Sequence, residues 1–225
     1  MKVAVLYSGG KDSTYTLWMA LQQYEEVKIL SVLSTEDSYL YHYQKETVIK
    51  ALEEAINMPI TVVTIDQSED DLDKLEKAVF SLNVEALLIG GLLSEYQRMK
   101  FNEVAKRIGI PCFAPLWRKD HSLLMQDLLK HFTVTFSTIA SMGFTKSDLG
   151  RVLDEEMYNR IVELNTNFGL SIVGEGGEYE TLVLDAPFYR KKIIIEVAVP
   201  EWDEAKLFGY LKIEKLRLEP KNNLK

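Results

Sequence analysis

Short apolar runs alternate with longer segments of helical periodicity through the first half of this 225-residue chain. Residues 2–7 (KVAVLY) form a nearly continuous apolar run, the pattern of a strand buried on both faces. Residues 13–24 follow with Leu17, Ala20, Leu21 and Tyr24 at helical spacing. The succession repeats, with strands at 27–33, 60–65, 86–89 and 112–114 and helices at 45–57, 70–82 and 94–108. Such alternation predicts a parallel sheet with helices on both faces. Ligands then bind beyond the carboxyl ends of the strands, near the point where strand order reverses. A site is therefore expected among the loops after residues 7, 33, 65, 89 and 114.

After Pro115-Leu116-Trp117 the alternation stops. A helix at 121–131, a strand at 132–139 and a helix at 153–167 lead into the glycine-rich stretch SIVGEGGEYETLVLDAPFY. Two β-rich segments, 192–199 and 208–218, complete the pattern. The fold class expected is α/β, a parallel-sheet domain over 1–118 followed by a smaller α+β domain over 119–225. No low-complexity linker or internal repeat interrupts the sequence.

Composition narrows the chemistry. Hydrophobic residues make up 47% of the chain and charged residues 27%, as in a globular protein. At this length about 70% of the unfolded surface can be buried, so no covalent staple is needed. Cys112 is the only cysteine, which excludes an internal disulfide, a CxxC redox pair and a multi-cysteine metal site. The net charge of −8 weighs against a nucleic-acid partner, because binding there depends on Lys and Arg displacing counterions. The basic triplet Arg190-Lys191-Lys192 leads into an apolar strand pattern and reads as a solvated strand end. With no charged-then-apolar leader before the first strand and no bilayer-length apolar run, a cytoplasmic enzyme with no membrane contact is expected.

The candidate site is SGGKDS, residues 8–13, set between a strand and a helix. Glycines let several backbone N–H groups converge, and the helix adds its positive N-terminal end, so the loop suits phosphate. Lys11 brings a mobile positive charge, Ser8 and Ser13 bring hydroxyl donors, and Asp12 can orient a magnesium ion or its waters. The loop is neither a Walker A sequence, since Gly10-Lys11 is followed by Asp12, nor GxGxxG.

SGGKDS after the first strand resembles the pyrophosphate-binding motif of the N-type ATP pyrophosphatases (the PP-loop superfamily). The resemblance implies a HUP-like nucleotide-binding domain and cleavage of ATP between the α- and β-phosphates. It also implies that Ser8, Gly9, Gly10, Asp12 and Ser13 hold pyrophosphate while Lys11 neutralises charge near the α-phosphate. Lys11 and Asp12 are then the catalytic candidates. Ser34, ending the second strand, stands where this superfamily contacts adenine or ribose.

A second signature is GEGGEYETLVLDAP, residues 174–187. Three carboxylates, Glu175, Glu178 and Glu180, crowd a loop with Gly174, Gly176 and Gly177, which is unfavourable unless a cation or a hydrogen-bond donor compensates. By composition alone an ordinary acidic turn is an equal reading. The wording resembles the C-terminal signature of diphthine–ammonia ligases. SYLYHY at 38–43 and SEYQRMKFNEVAKRIGIPCFAPLW at 94–117 resemble other segments of that family. The resemblance implies ATP-dependent amidation of diphthine, a modified histidine on translation elongation factor 2. An acyl-adenylate is attacked by ammonia, releasing AMP and pyrophosphate, with ATP and Mg2+ required. Glu175, Gly176, Gly177, Glu178 and Tyr179 are then expected to contact the substrate, its quaternary ammonium lying against the tyrosine ring.

Smaller candidates follow. Gly90-Gly91 closes a strand run, where a turn and the close approach of a nucleotide are equal readings, and Gly91 joins the ATP-binding set. Tyr96 and Arg98 on the next helix, and His42 in the loop after the second strand, join the substrate-binding set. His121 and His131 fit the helix between the domains and are not expected to be ligands. Cys112, in an apolar setting, reads as a small hydrophobe. Two alternatives stand beside the ligase: a tRNA-modifying, thiolase-like ATP pyrophosphatase, and a non-catalytic adenine-nucleotide sensor. One poorly placed cysteine and an acidic balance count against the first.

Overall fold

The computed structural model describes residues 1–34, 46–65, 71–90 and 95–221. The chain divides into two units, Met1–Trp117 and Arg118–Lys225. Unit one carries the parallel sheet expected from the alternation. Its strands are β1 (Lys2–Leu6), β2 (Glu26–Ser34), β3 (Ile60–Ile65), β4 (Ala86–Leu88) and β5 (Cys112–Phe113), ordered β3-β2-β1-β4-β5 and parallel throughout. The helices α1 (Lys11–Gln23), α2 (Glu46–Ile56), α3 (Asp71–Ser81) and α4 (Glu95–Ile108) connect them.

The central strands β1 and β4 are buried on both faces, which is why they read as apolar runs, whereas the edge strands β3 and β5 leave Val62 and Phe113 exposed. On one face Ala4, Leu30 and Leu87 pack with Leu75 and Val79 of α3 and with Phe101 and Val104 of α4. The alternate strand residues Val3, Val5, Ile29 and Leu88 turn to the other face, where α1 buries Leu17 and Ala20. Strand order reverses between β1 and β4, so the switch point lies where the chain leaves β1 toward α1.

One boundary differs from expectation in a way that matters. The first helix begins at Lys11, not at Ser13. Gly10 is its extended N-cap (φ −74, ψ 164), and the Thr14 N–H already donates to the Gly10 carbonyl at 3.0 Å. Lys11 and Asp12 are helical residues, although GGKD reads as loop.

Unit two holds an antiparallel sheet, β7-β6-β9-β8, built from β6 (Thr133–Ala140), β7 (Tyr179–Asp185), β8 (Lys191–Asp203) and β9 (Phe208–Pro220). Two helices accompany it, α5 (His121–His131) and α6 (Glu155–Phe168). Each starts on an aspartate whose side chain accepts from an early amide: Asp120 from Leu123 N and Asp154 from Met157 N, both at 2.9 Å. The segment 141–152, which the sequence pattern leaves blank, is organised by side chains. Buried Asp148 accepts from the Thr145 N–H at 2.7 Å and from Arg160, whose other terminal nitrogen donates to the Gly143 carbonyl at 2.9 Å. Residues 150–153 then bond to β6, Gly150 N to the Phe136 carbonyl at 2.9 Å and Leu153 N to the Val134 carbonyl at 2.8 Å. They occupy the edge of β6 that β9 would otherwise take, so β9 pairs with β6 only over its first three residues, Phe208, Gly209 and Tyr210.

Candidate functional site

The SGGKDS residues converge where β1 hands over to α1. Gly9 adopts φ +77, which turns the chain sharply after Ser8. The turn is held by Ser13: its Oγ accepts from the Ser8 N–H at 3.1 Å, lies 3.1 Å from Ser8 Oγ, and donates to the Gly10 carbonyl at 3.0 Å. Gly10 offers α1 no side-chain cap. The amides of Gly9, Asp12 and Ser13 form no hydrogen bond among the described residues. The first turn of α1 therefore presents unused donors at the positive end of a helix, the arrangement that holds an anion.

Behind those donors Lys11 is only 4% exposed, and its Nζ lies 2.7 Å from Asp12 Oδ2. The other oxygen, Asp12 Oδ1, is buried without a hydrogen-bond partner among the described residues. A carboxylate oxygen left in that state beside an anion-binding turn suits a divalent cation, and Mg2+ typically takes only one or two protein carboxylates with phosphate oxygens and water. Among the described residues no group of three or more His, Cys, Asp or Glu side chains could hold a metal unaided.

Gly90 closes this side of the site. A Cβ there would stand 3.2 Å from Ser13 N and 3.3 Å from the Asp12 carbonyl carbon, so the absent side chain makes room for the first turn of α1. What approaches Gly90 closely is this chain's own backbone. Ser34 ends β2 in register with Ile65, at the same carboxyl edge of the sheet. Tyr96 and Arg98 fall in the first turn of α4. Gly91, His42 and the SYLYHY segment lie outside the described residues.

The second glycine-rich loop, in unit two, is built on a different plan. The Glu178 carboxylate accepts from Ser171 N at 3.0 Å through Oε1 and from Gly176 N at 2.8 Å through Oε2. Ser171 Oγ accepts from Glu175 N at 3.2 Å, the Ser171 carbonyl from Gly174 N at 3.0 Å, and the Gly174 carbonyl from Gly177 N at 3.2 Å. Every amide named here points inward. The loop is wired, not loose, and hydrogen bonds to backbone N–H groups compensate Glu178's charge.

One expected contact, that of the Tyr179 ring, is corrected by this geometry. Tyr179 is 3% exposed: its hydroxyl donates to the Ile172 carbonyl at 2.6 Å, and its ring packs edge-on against Phe136 at 5.2 Å and Phe144 at 6.1 Å. Its ring belongs to the core of unit two and offers no face to a cation. Each Glu178 oxygen accepts one N–H from the loop, so the carboxylate is held to its own backbone. Of the five residues expected to touch substrate, exposed Glu175 keeps a side chain at the surface, and Gly176 and Gly177 expose backbone. The structure adds a residue that the sequence pattern set aside, for His121 Nε2 lies 3.3 Å from Glu175 Oε1. No spacing rule links positions so far apart in sequence.

Two family models match the chain, the diphthamide synthase N-terminal domain over residues 1–112 and the diphthamide synthase C-terminal domain over 120–218. The chain belongs to the diphthamide synthase family. Among its relatives is a diphthine–ammonia ligase of Homo sapiens, 31% identical, with 98% of this chain and 94% of the human protein covered. Another of the same name, from Schizosaccharomyces pombe, is 36% identical over 87% of this chain; the match spans only 36% of that longer protein. Among solved structures, a predicted subunit of tRNA methyltransferase from Methanocaldococcus jannaschii aligns with 83% of this chain and 98% of its own, at 16% identity and a TM-score of 0.42. The two family models meet in the same stretch of chain where unit one gives way to unit two. Each unit of this diphthamide synthase family member carries one of the two glycine-rich loops.

Proposed function

We propose that this chain is an ATP-dependent, AMP-forming amide ligase that converts diphthine on translation elongation factor 2 to diphthamide. The observation that carries the reading is the start of α1, where among the described residues the amides of Gly9, Asp12 and Ser13 are unbonded beside a buried lysine, in a chain of the diphthamide synthase family. The substrate carboxylate attacks the α-phosphorus of ATP, pyrophosphate leaves, and ammonia then displaces AMP from the acyl carbon. Negative charge builds on the departing pyrophosphate, so donors fixed around it stabilise the transition state more than the ground state.

In this reading the amides of Gly9, Asp12 and Ser13 and the Ser8 hydroxyl hold the β- and γ-phosphates. Lys11, screened from water, meets charge near the α-phosphate, where its field is stronger than it would be at the surface. Asp12 Oδ1 is the oxygen that would hold Mg2+, which supplies neutralisation of phosphate charge. Ser34 and Gly91 are assigned to the nucleotide, and Tyr96, Arg98 and His42 to the substrate, by their placement in the sequence. Glu175 is assigned to the substrate's cationic end. Among the described residues no helix is long and apolar enough to cross a membrane, and the reading places the enzyme in the cytoplasm with its substrate. A thiolase-like reading lacks a sulfur carrier, because burial pushes the single thiol, Cys112, up to about 11.

The test is one reaction: the protein, Mg-ATP, ammonium and elongation factor 2 carrying diphthine. Peptide mass spectrometry follows the factor and chromatography follows the nucleotides. Amide formed in step with AMP is the expected result. ADP in place of AMP would overturn the assignment of the SGGKDS loop, and AMP released only with tRNA would favour the RNA-modifying alternative.

A further inference from the structure

We infer that Glu178 is a positioning residue: it makes no contact with substrate but clamps the 171–177 segment, so that the loop presents the Glu175 carboxylate and repels anions. The inference rests on the reading that this loop receives diphthine. Its geometry, however, stands by itself. One carboxylate reaches Ser171 N at 3.0 Å and Gly176 N at 2.8 Å, joining the two ends of the loop. The amides of Gly174, Glu175 and Gly177 are taken as well, by Ser171 and Gly174 oxygens. With the amides of all three glycines spent, none of them is left to cradle a phosphate. The side chain it exposes is that of Glu175, an acceptor, which stands beside His121 Nε2 at 3.3 Å.

The chain on either side is anchored independently of Glu178. The Glu178 carbonyl accepts from Ala140 N at 2.8 Å, and Tyr179 is buried with its hydroxyl on the Ile172 carbonyl at 2.6 Å. Removing the carboxylate therefore releases the loop without removing the strand that follows it. A glutamine at 178 keeps one acceptor and turns an amine toward the other N–H group, whereas an alanine keeps neither. The two variants should give graded effects on the same loop.

Two measurements on the full-length protein test this. The first is hydrogen exchange at the Ser171 and Gly176 amides in wild type, E178Q and E178A, without substrate. Exchange at one of the two amides should rise about tenfold in E178Q and at both in E178A, the scale for losing a charge-assisted hydrogen bond. Unchanged exchange in both variants would overturn the clamp. The second is steady-state amidation. KM for the diphthine-bearing factor should rise about tenfold in E178Q and further in E178A, with KM for ATP unchanged. A fall in kcat with both KM values unchanged would mark a merely structural role and contradict the inference. If wild type forms no amide while exchange responds as stated, the proposed function fails and the clamp remains, without a substrate to position. If E178A fails to fold, E178Q alone carries both measurements.

Discussion

The two glycine-rich loops of this protein look alike in sequence and differ in what becomes of their N–H groups. At residues 8–13 the amides of Gly9, Asp12 and Ser13 are unbonded among the described residues, while a buried lysine stands behind them. In the second loop the amides of Ser171, Gly174, Glu175, Gly176 and Gly177 are satisfied by Ser171, Gly174 and Glu178. The first loop leaves N–H donors open to an anion, and the second spends the amides of its glycines on itself. Glycine content shows that the chain can turn tightly. Only the hydrogen-bond partners show what charge the turn will accept.

The largest perturbation should fall on the first loop. Lys11→Ala should lower AMP-forming turnover by about 10²–10³-fold, the scale for losing one transition-state donor, while hydrogen exchange at Ser171 and Gly176 stays as in wild type. Near-normal turnover would remove Lys11 from the chemistry and blur the contrast between the loops. Next in size is Gly90→Ala. Its new methyl meets backbone, not a flexible side chain, so the first turn of α1 must shift by a few tenths of an ångström. KM for ATP should rise about tenfold, since misplacement of reacting groups is costly, with KM for the elongation factor unchanged. Equal KM values would mean that the turn tolerates the shift.

Ser13→Ala is a smaller test of the same loop. It removes the acceptor of the Ser8 amide in a side chain that is 8% exposed, and stability should fall by about 1 kcal/mol in denaturant unfolding. No loss would show that the Ser13 hydroxyl does not hold the turn. The smallest effect belongs to Cys112, outside both loops. Burial raises its thiol from 9.0 to about 11, so the unfolded chain gives up this proton at lower pH than the folded one does. Stability due to this group is therefore level below about pH 8 and declines as pH rises through 9 toward 11. Cys112→Ser should flatten that decline and leave turnover within about twofold. A fast-alkylating thiol at pH 8 would contradict the assignment.

The architecture of unit one was legible because its strands are short apolar runs, the central ones buried on both faces. β3 runs over residues 60–65 as the apolar run predicts, and β1 stops one residue short of the expected end only in assignment, since Tyr7 N still donates to the Leu30 carbonyl at 2.8 Å. The start of α1 was less legible, because Gly-Gly-Lys-Asp gives no apolar periodicity to show that Lys11 is already helical. In unit two the 141–152 segment left no pattern, its order coming from Asp148, Thr145 and Arg160 acting on backbone groups. Tyr179 misled for a related reason. It follows two acids and three glycines in sequence, yet it is the first residue of β7 and falls on the core side of that strand. Composition near a residue does not say which face of a strand it takes.

The central claim is that the substrate carboxylate is adenylated before ammonia arrives. It is tested most directly by labelling the carboxylate oxygens of diphthine with oxygen-18 and analysing the AMP released on amidation. Attack on the α-phosphorus leaves one carboxylate oxygen in AMP and the other in the amide, so AMP should carry a single heavy oxygen. Unlabelled AMP, or label recovered in inorganic phosphate with ADP as product, would contradict the account.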